Sequence, residues 1–227
     1  MEDYLEKFGL DISALSPEET AVVQYSMESE LRHGVVVSNL AFAVSREMGL
    51  PEEICLETAL AGMLHDIGKL RLKGYINGQK EDSLMVEELR YVRMHSMLGY
   101  EELKKSSYSD YVLKSVLHHH ENYDGTGYPD NLSGRDIPLG ARIIRVCDVY
   151  TALRSDRPYR RAFDGNTAME MMIEEVKDFD MEIFLAFLRV MHDPAQHIRQ
   201  DTPALDALLL KERAKSHNTD KTYKEEK

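Results

Sequence analysis

No stretch of this 227-residue chain approaches the roughly 20 consecutive apolar residues that a membrane-spanning helix needs. The N-terminus, MEDYLEKFGL, is acidic and lacks both a basic n-region and an apolar h-region, so it does not read as a secretion signal. Cysteine is scarce. Cys55 and Cys147 are far apart, each within an apolar run, and read as buried free thiols in a reducing compartment, not as a disulfide or a zinc pair. Positive charge is short as well: 28 Lys and Arg stand against 40 Asp and Glu, a net charge of −12. Such a surface repels a phosphate backbone, which argues against long nucleic acids as partners. It still leaves room for a small anionic ligand wherever basic residues are concentrated. Together these absences predict a soluble cytoplasmic protein. The 43% of hydrophobic residues suffice for the core of one domain with short extensions.

The pattern is helical nearly throughout, and no segment reads as a strand, so the expected class is all-α. Apolar residues crowd Val35–Met48, Gly49 stands where a helix C-cap belongs, and Pro51 suits the first turn of the next helix. That helix, EEICLETALAGML, delivers His65 and Asp66 at its end, and Gly68 breaks it. Residues 71–83 are polar and read as a loop. A helix from about Leu84 to Lys104 carries Val86, Leu89, Val92 and His95 at three-residue steps. Another is expected from Tyr108 to about Glu121, ending in HHHE. Residues 122–138, rich in Gly, Asp, Asn and Pro, read as a loop. Helices follow over 139–154, 166–177 and 180–191, with a weaker one near 203–213. From Lys215 onward only Tyr223 is able to anchor the chain, so that tail is expected to be disordered.

Nine histidines are present, and six of them fall in four places that alternate with helices: His33, His65, His95 and His118–His120. A lone histidine on an apolar face is more often a satisfied core residue than a ligand, and the triple run reads equally as a solvated helix end. The pair His65–Asp66 offers more. Its carboxylate has two oxygens able to bridge two cations while the imidazole binds one, and mixed N/O donors suit iron, manganese or zinc better than magnesium or calcium. A second His-Asp pair, His192–Asp193, reads as surface. Asp148 is a charge inside the apolar run ARIIRVCDVYTAL. Either it faces solvent or something positive sits against it, because an unpaired buried carboxylate is costly.

Taken in order, His33, LHDIGK (64–69), HSMLG (95–99), HHHENYDGTGYP (118–129) and CDVYTALRSDRPYR (147–160) resemble the HD-GYP family, a branch of the HD-domain phosphohydrolases, over residues 25–195. The resemblance implies an HD-domain helical bundle with a GYP-containing loop and extra C-terminal helices. Residues 1–24 would be a helical extension, 25–195 the HD-GYP domain, 196–213 a C-terminal helix and 214–227 a disordered tail. It also implies two divalent metal ions, iron or manganese, with zinc, nickel or magnesium as ions a preparation can carry instead. One ion would use His33, His65, Asp66 and Asp148. The other would use Asp66, His95, His119 and His120, with Asp66 bridging. His118 falls outside the motif and is expected to be a neighbour.

Some family members bind a third metal through a Glu one turn before the first His. Here that position is Ser29, and Glu28 and Glu30 flank it about 100° away on a helix, which argues for two metals. Thr151 replaces the Asp of the usual DVYDAL without removing a ligand.

The implied activity is hydrolysis of cyclic di-GMP to pGpG, and on to GMP, by hydroxide attack on phosphorus at a two-metal site. Asp66 and Lys69 would serve catalysis, with Lys69 on the attacking water or a phosphate. Arg154, Arg157, Arg160 and Arg161 cluster in RSDRPYRR, and by resemblance Arg157 and Arg160 contact the ligand's phosphates. The loop Asp124, Gly125, Gly127, Tyr128 and Pro129 would shape the cleft or dock a GGDEF-type partner, and a homodimer is a further expectation. The alternatives are a phosphohydrolase for another cyclic dinucleotide or nucleotide, a non-catalytic cyclic di-GMP sensor, and di-iron oxygen chemistry.

Overall fold

Helix α1, Pro17–Glu47, opens with proline at a position where its missing N–H costs nothing. Its buried residues Val37, Leu40, Ala41 and Val44 repeat at the spacing of one helical stripe. It stops where the sequence predicts. Gly49 takes φ +73°, Gly49 N–H donates to Arg46 O at 2.9 Å and Leu50 N–H to Ser45 O at 3.1 Å, closing the last turn. The chain then re-enters α2, Glu52–Leu64, whose first turn carries Glu52 and Glu53 at the positive end of the helix dipole. Helices α1 and α2 pack tightly: a Cβ on Gly62 would lie 3.3 Å from the Ser38 Cα. This contact brings the His33 stretch of α1 against the end of α2.

The computed structural model describes residues 17–70, 93–156 and 161–192, with 17–27 as backbone alone. All of them belong to one compact unit. Beyond the first hairpin come α3, His95–Leu103, α4, Asp110–Leu117, and α5, Leu139–Leu153. Then follow α6, Gly165–Glu174, and α7, Met181–His192. Short 3₁₀ turns occur at Gly134–Asp136 and Val176–Asp178. Among the described residues every regular element is helical, as the sequence predicts. Side-chain oxygens start two of the helices: Ser109 accepts from Val112 N–H at the head of α4, and Asp164 from Asn166 and Thr167 N–H at the head of α6.

The central element is α5, which packs against α1, α2, α4, α6 and α7. It buries Gly140, Ala141, Ile143, Ile144, Val146, Cys147, Tyr150 and Thr151. From α7, Ile183, Phe184, Ala186, Phe187 and Val190 close the core, with the Phe187 ring 5.2 Å from that of Tyr150. Both cysteines are free and buried, and burial holds the Cys147 thiol well above the usual range. No helix among the described residues is long and apolar enough to cross a membrane.

Two boundaries differ from expectation. The helix expected to run through His118–His120 ends at Leu117, and the three histidines occupy a turn. Neighbouring residues on a helix point about 100° apart, and leaving the helix lets His119 and His120 reach the same place. The helix expected over 166–177 breaks at Glu174 into the 3₁₀ turn. The loop 71–83, residues 84–92 of the helix expected from Leu84, Arg157, Arg160, the C-terminal helix and the tail lie outside the described residues, as does most of the N-terminal extension.

Candidate metal centre

Five separated segments deliver seven side chains to one place. His33 comes from the middle of α1, and His65 and Asp66 from the turn that ends α2. His95 opens α3, His119 and His120 follow α4, and Asp148 projects from α5. His33 Nε2 lies 2.9 Å from Asp148 Oδ1 and 3.9 Å from Asp66 Oδ2. His95 Nε2 lies 3.2 Å from Asp66 Oδ1, 3.2 Å from His119 Nε2 and 3.0 Å from His120 Nε2. Donor atoms of Asp66, His95, His119 and His120 all fall within 4.8 Å of one another, and so do those of His33, His65 and Asp66. Asp66 belongs to both groups, and His118 to neither.

The second ring nitrogens show how the site is set. His65 Nδ1 lies 2.7 Å from Gly62 O, and His119 Nδ1 lies 2.7 Å from Val116 O. Donation to these carbonyls fixes each ring and leaves Nε2 free to bind a cation. His65 Nε2 is fully buried, 3.2 Å from Asp66 Oδ2 and 3.6 Å from Asp148 Oδ1, yet makes no well-aligned hydrogen bond. Buried polar atoms are rarely left so. An orphaned imidazole nitrogen facing two carboxylate oxygens fits a divalent cation, and the mixed N/O donors fit the same class of ion.

Electrostatics without a cation are tense. Burial lowers the His65 imidazole's affinity for a proton, but the carboxylates of Asp66 and Asp148 outweigh it and push its pKa up to about 10. Burial would raise Asp66, yet His65, Lys69 and His95 hold it well below the carboxylate range. His33 and His65 do the same for Asp148. His119 and His120 are instead driven down, mainly by burial, His120 to about 3. His65 thus holds a proton that His119 and His120 refuse.

Lys69 Nζ sits 2.5 Å from Asp66 Oδ2 and 3.4 Å from Glu30 Oε2. Burial works against its charge, but Asp66 and Glu30 prevail and raise its pKa. The ammonium is therefore a fixed cation and donor, not a base. Glu30, which flanks the Ser29 position, meets the site through Lys69, a contact not read from the sequence. Its spacing of three residues before His33 on α1 carried that signal. Thr151 donates to Cys147 O at 2.8 Å, within its own helix.

The loop expected to shape the cleft lies on the histidine turn. Asp124 Oδ1 accepts from Thr126 N–H at 3.0 Å, Gly125 takes φ +84°, and the Tyr128–Pro129 bond is cis. The Tyr128 ring stacks on His120 at 4.8 Å, and the Arg93 guanidinium carbon lies 5.3 Å from its centroid. His118 is a neighbour, with Nδ1 3.7 Å from Glu121 Oε1 and from Asp130 Oδ2. Arg145 was missed from sequence. It precedes Asp148 by three residues on α5, and its Nε donates to Asn122 Oδ1 at 3.0 Å. His192 is exposed, as expected.

Residues 14–183 match the model of a protein family described as the HD domain. A cyclic di-GMP phosphodiesterase of Pseudomonas aeruginosa is 40% identical over 73% of this chain and 40% of its own length. A 3'3'-cGAMP-specific phosphodiesterase of Vibrio cholerae is 33% identical over 74% of this chain and 39% of its own. The chain thus spans about two fifths of the curated relatives it matches. Among solved structures, an HDGYP protein from Bdellovibrio bacteriovorus superposes with a TM-score of 0.58 at 21% identity, covering 73% of this chain and 53% of that one. This likeness supports the fold.

Proposed function

The chain belongs to the HD domain family, in the branch marked by the GYP motif, and from that premise we propose that it is a metal-dependent phosphodiesterase that opens cyclic di-GMP to linear pGpG, with GMP following from a second cleavage. The observation that carries this reading is the convergence of five imidazoles on Asp66, with Asp148 against His33 and His65 and a buried His65 Nε2 that makes no hydrogen bond. His33, His65, Asp66 and Asp148 would hold one ion. His95, His119 and His120 would hold a second, shared through Asp66. The mixed imidazole and carboxylate donors fit a borderline divalent cation, and the family resemblance points to iron or manganese. Two such cations supply Lewis-acid activation of water and neutralise charge gathering on the phosphodiester.

The chain's own residues do the rest. Asp66 presents both oxygens at the centre. Lys69, kept protonated by Asp66 and Glu30, directs N–H donors to the side where a non-bridging phosphate oxygen would gain charge. Arg157 and Arg160 are proposed as phosphate contacts, since a guanidinium fork matches phosphate geometry. Loop 124–129 is proposed as a docking element for a GGDEF-type partner, and the protein as a cytoplasmic enzyme able to form a homodimer.

The test is to load the purified protein with iron or manganese under reducing conditions and follow cyclic di-GMP by chromatography. Metal-loaded protein without turnover rejects the reading. Asp66→Ala is expected to abolish both metal loading and turnover, and a fully active variant would show the ligand set to be wrong. A second reading, preference for a mixed cyclic dinucleotide, is favoured by the 33% identity to the Vibrio cholerae 3'3'-cGAMP-specific enzyme. Running both substrates side by side decides between them.

A further inference from the structure

His120 differs from the other histidines that follow α4 and α2. The rings of His65 and His119 are fixed through Nδ1 to backbone carbonyls. Among the described residues, the hydrogen bond of His120 runs through Nε2 to His95, at 3.0 Å, so its remaining restraint is lateral. The rings of His119, at 4.0 Å and tilted by 43°, and of His95, at 4.9 Å and edge-on, also touch it, but the parallel face is that of Tyr128, stacked at 4.8 Å between centroids and 25° between planes. A stack this nearly parallel opposes rotation of the imidazole about its own bond, the same freedom that a carbonyl removes for the other two.

The loop that carries Tyr128 is anchored to the segment it braces. Tyr128 N–H donates to His120 O at 3.1 Å, and Asp130 N–H donates to the buried Glu121 Oε1 at 2.7 Å. Asn131 Nδ2 donates to Gly127 O, closing the turn from within. Gly127 lies so close to the histidine turn that a Cβ there would stand 2.2 Å from Asn122 N and 2.4 Å from Glu121 Cα. The loop therefore folds back on residues 120–122 and is held there from both sides of Tyr128.

We propose that Tyr128 is a positioning residue for metal binding: its ring, held by the Glu121–Asp130 tether, fixes the His120 imidazole as a ligand of one of the two ions. The inference rests on the metal reading above and adds to it a structural role for the tyrosine of the GYP loop. Outer partners of metal-bound histidines are typically worth about 10- to 100-fold in affinity. A flat ring of either kind satisfies the requirement, whereas an aliphatic side chain of similar bulk does not.

The test compares Tyr128→Phe with Tyr128→Leu in the full chain loaded with manganese. Metal loss to excess EDTA is followed by elemental analysis of gel-filtered samples, beside the melting temperature of the metal-free forms. Tyr128→Phe is expected to hold both ions within twofold of wild type. Tyr128→Leu is expected to lose one of its two equivalents about tenfold faster, with the second equivalent and the metal-free melting temperature unchanged. Equal release rates for wild type and Tyr128→Leu overturn the role given to Tyr128 while leaving the metal reading intact. Loss of both ions together with a lowered metal-free melting temperature overturns it in favour of general support of the fold. A wild type that takes up no manganese or iron overturns the metal reading, and this inference with it. Should Tyr128→Leu fail to fold, Tyr128→Met carries the same comparison.

Discussion

Gly68 sits where the turn after Asp66 meets the first turn of α3, and replacing it with alanine tests whether the proposed metal centre depends on that contact. A Cβ at Gly68 would stand 1.9 Å from His95 O, 2.6 Å from Gly99 N and 2.8 Å from His95 C. All three are backbone atoms, so no rotamer change relieves the clash. Restoring even 3.0 Å to the closest atom requires α3 and the turn to separate by about 1.1 Å, the difference from 1.9 Å. His95 Nε2 starts 3.2 Å from Asp66 Oδ1, and metal–ligand distances tolerate only about 0.2 Å. A displacement of that size removes His95 from any ion shared with Asp66. Overpacking of a filled site costs about 1–3 kcal/mol, and a 1 Å misplacement of reacting groups costs on the order of 100-fold in rate.

Gly68→Ala is accordingly expected to lose about 2–3 kcal/mol in a urea titration of the metal-free protein, to retain one metal equivalent at most, and to turn over about 100-fold more slowly. Gly49→Ala is the control. It strains a residue at φ +73° but meets nothing within 4 Å, far from the centre. It should cost about 1 kcal/mol and leave metal content untouched. A Gly68→Ala variant with two equivalents and wild-type turnover would refute the reasoning.

Three further outcomes are expected. At pH 7.5 the His65 imidazole of the metal-free protein carries a proton, since its pKa stands at about 10, and coordination requires that proton to leave. Manganese binding followed by calorimetry in buffers of different ionisation enthalpy should release about one proton per chain, and zero release counts against His65 as a ligand. The metal-free protein should be most stable near pH 6.5. Below it, an unfolded chain protonates histidines that the folded state keeps neutral until about pH 3 at His120, so stability falls by about 1.4 kcal/mol per pH unit for each such group. Above it, the contribution of protonated His65 fades toward pH 10. Urea midpoints between pH 4.5 and 9 that rise or fall monotonically would contradict this. Finally, Lys69→Met should keep both metal equivalents and lose roughly 100-fold in turnover, as for removal of a donor to developing charge. Unchanged turnover would return Lys69 to the surface lysines.

Local rules read well from this sequence wherever one segment decides the outcome. Gly49 ends α1 because the chain needs a left-handed residue there, and the stripe through Val37, Leu40, Ala41 and Val44 states which face is buried. Asp148 was conspicuous because a carboxylate amid ARIIRVC needs a positive partner, and the structure puts His33 and His65 against it. What single-segment reasoning missed depends on how segments meet. Glu30 reaches Lys69, 39 residues on, only because α1 and α2 pack at glycine distance. The end of α4 at Leu117 follows from the demand that two consecutive histidines face one place, which no helical period encodes. The stack of Tyr128 on His120 depends on a loop returning over its own start, and Gly127 was its single local sign. The assembly of the seven side chains into one set came from resemblance, since spacing alone cannot bring His33 to His120.

Charge binds these observations together. The chain carries −12, and Asp66 and Asp148 add two buried carboxylates at the very place where an anionic phosphodiester would sit. Like charges about 4 Å apart repel by about 4 kcal/mol each at the effective dielectric of a protein surface, and the protonated His65 and Lys69, both already paired with these carboxylates, offset only part of it. Two divalent cations among those side chains reverse the local sign, and Arg145, beside the histidine turn, then extends the favourable field. Metal loading is therefore expected to strengthen substrate binding. The metal-free Lys69→Met variant should bind cyclic di-GMP at least tenfold more weakly than the same slowed variant loaded with metal, and equal affinities would mean that the carboxylates do not face the ligand at all.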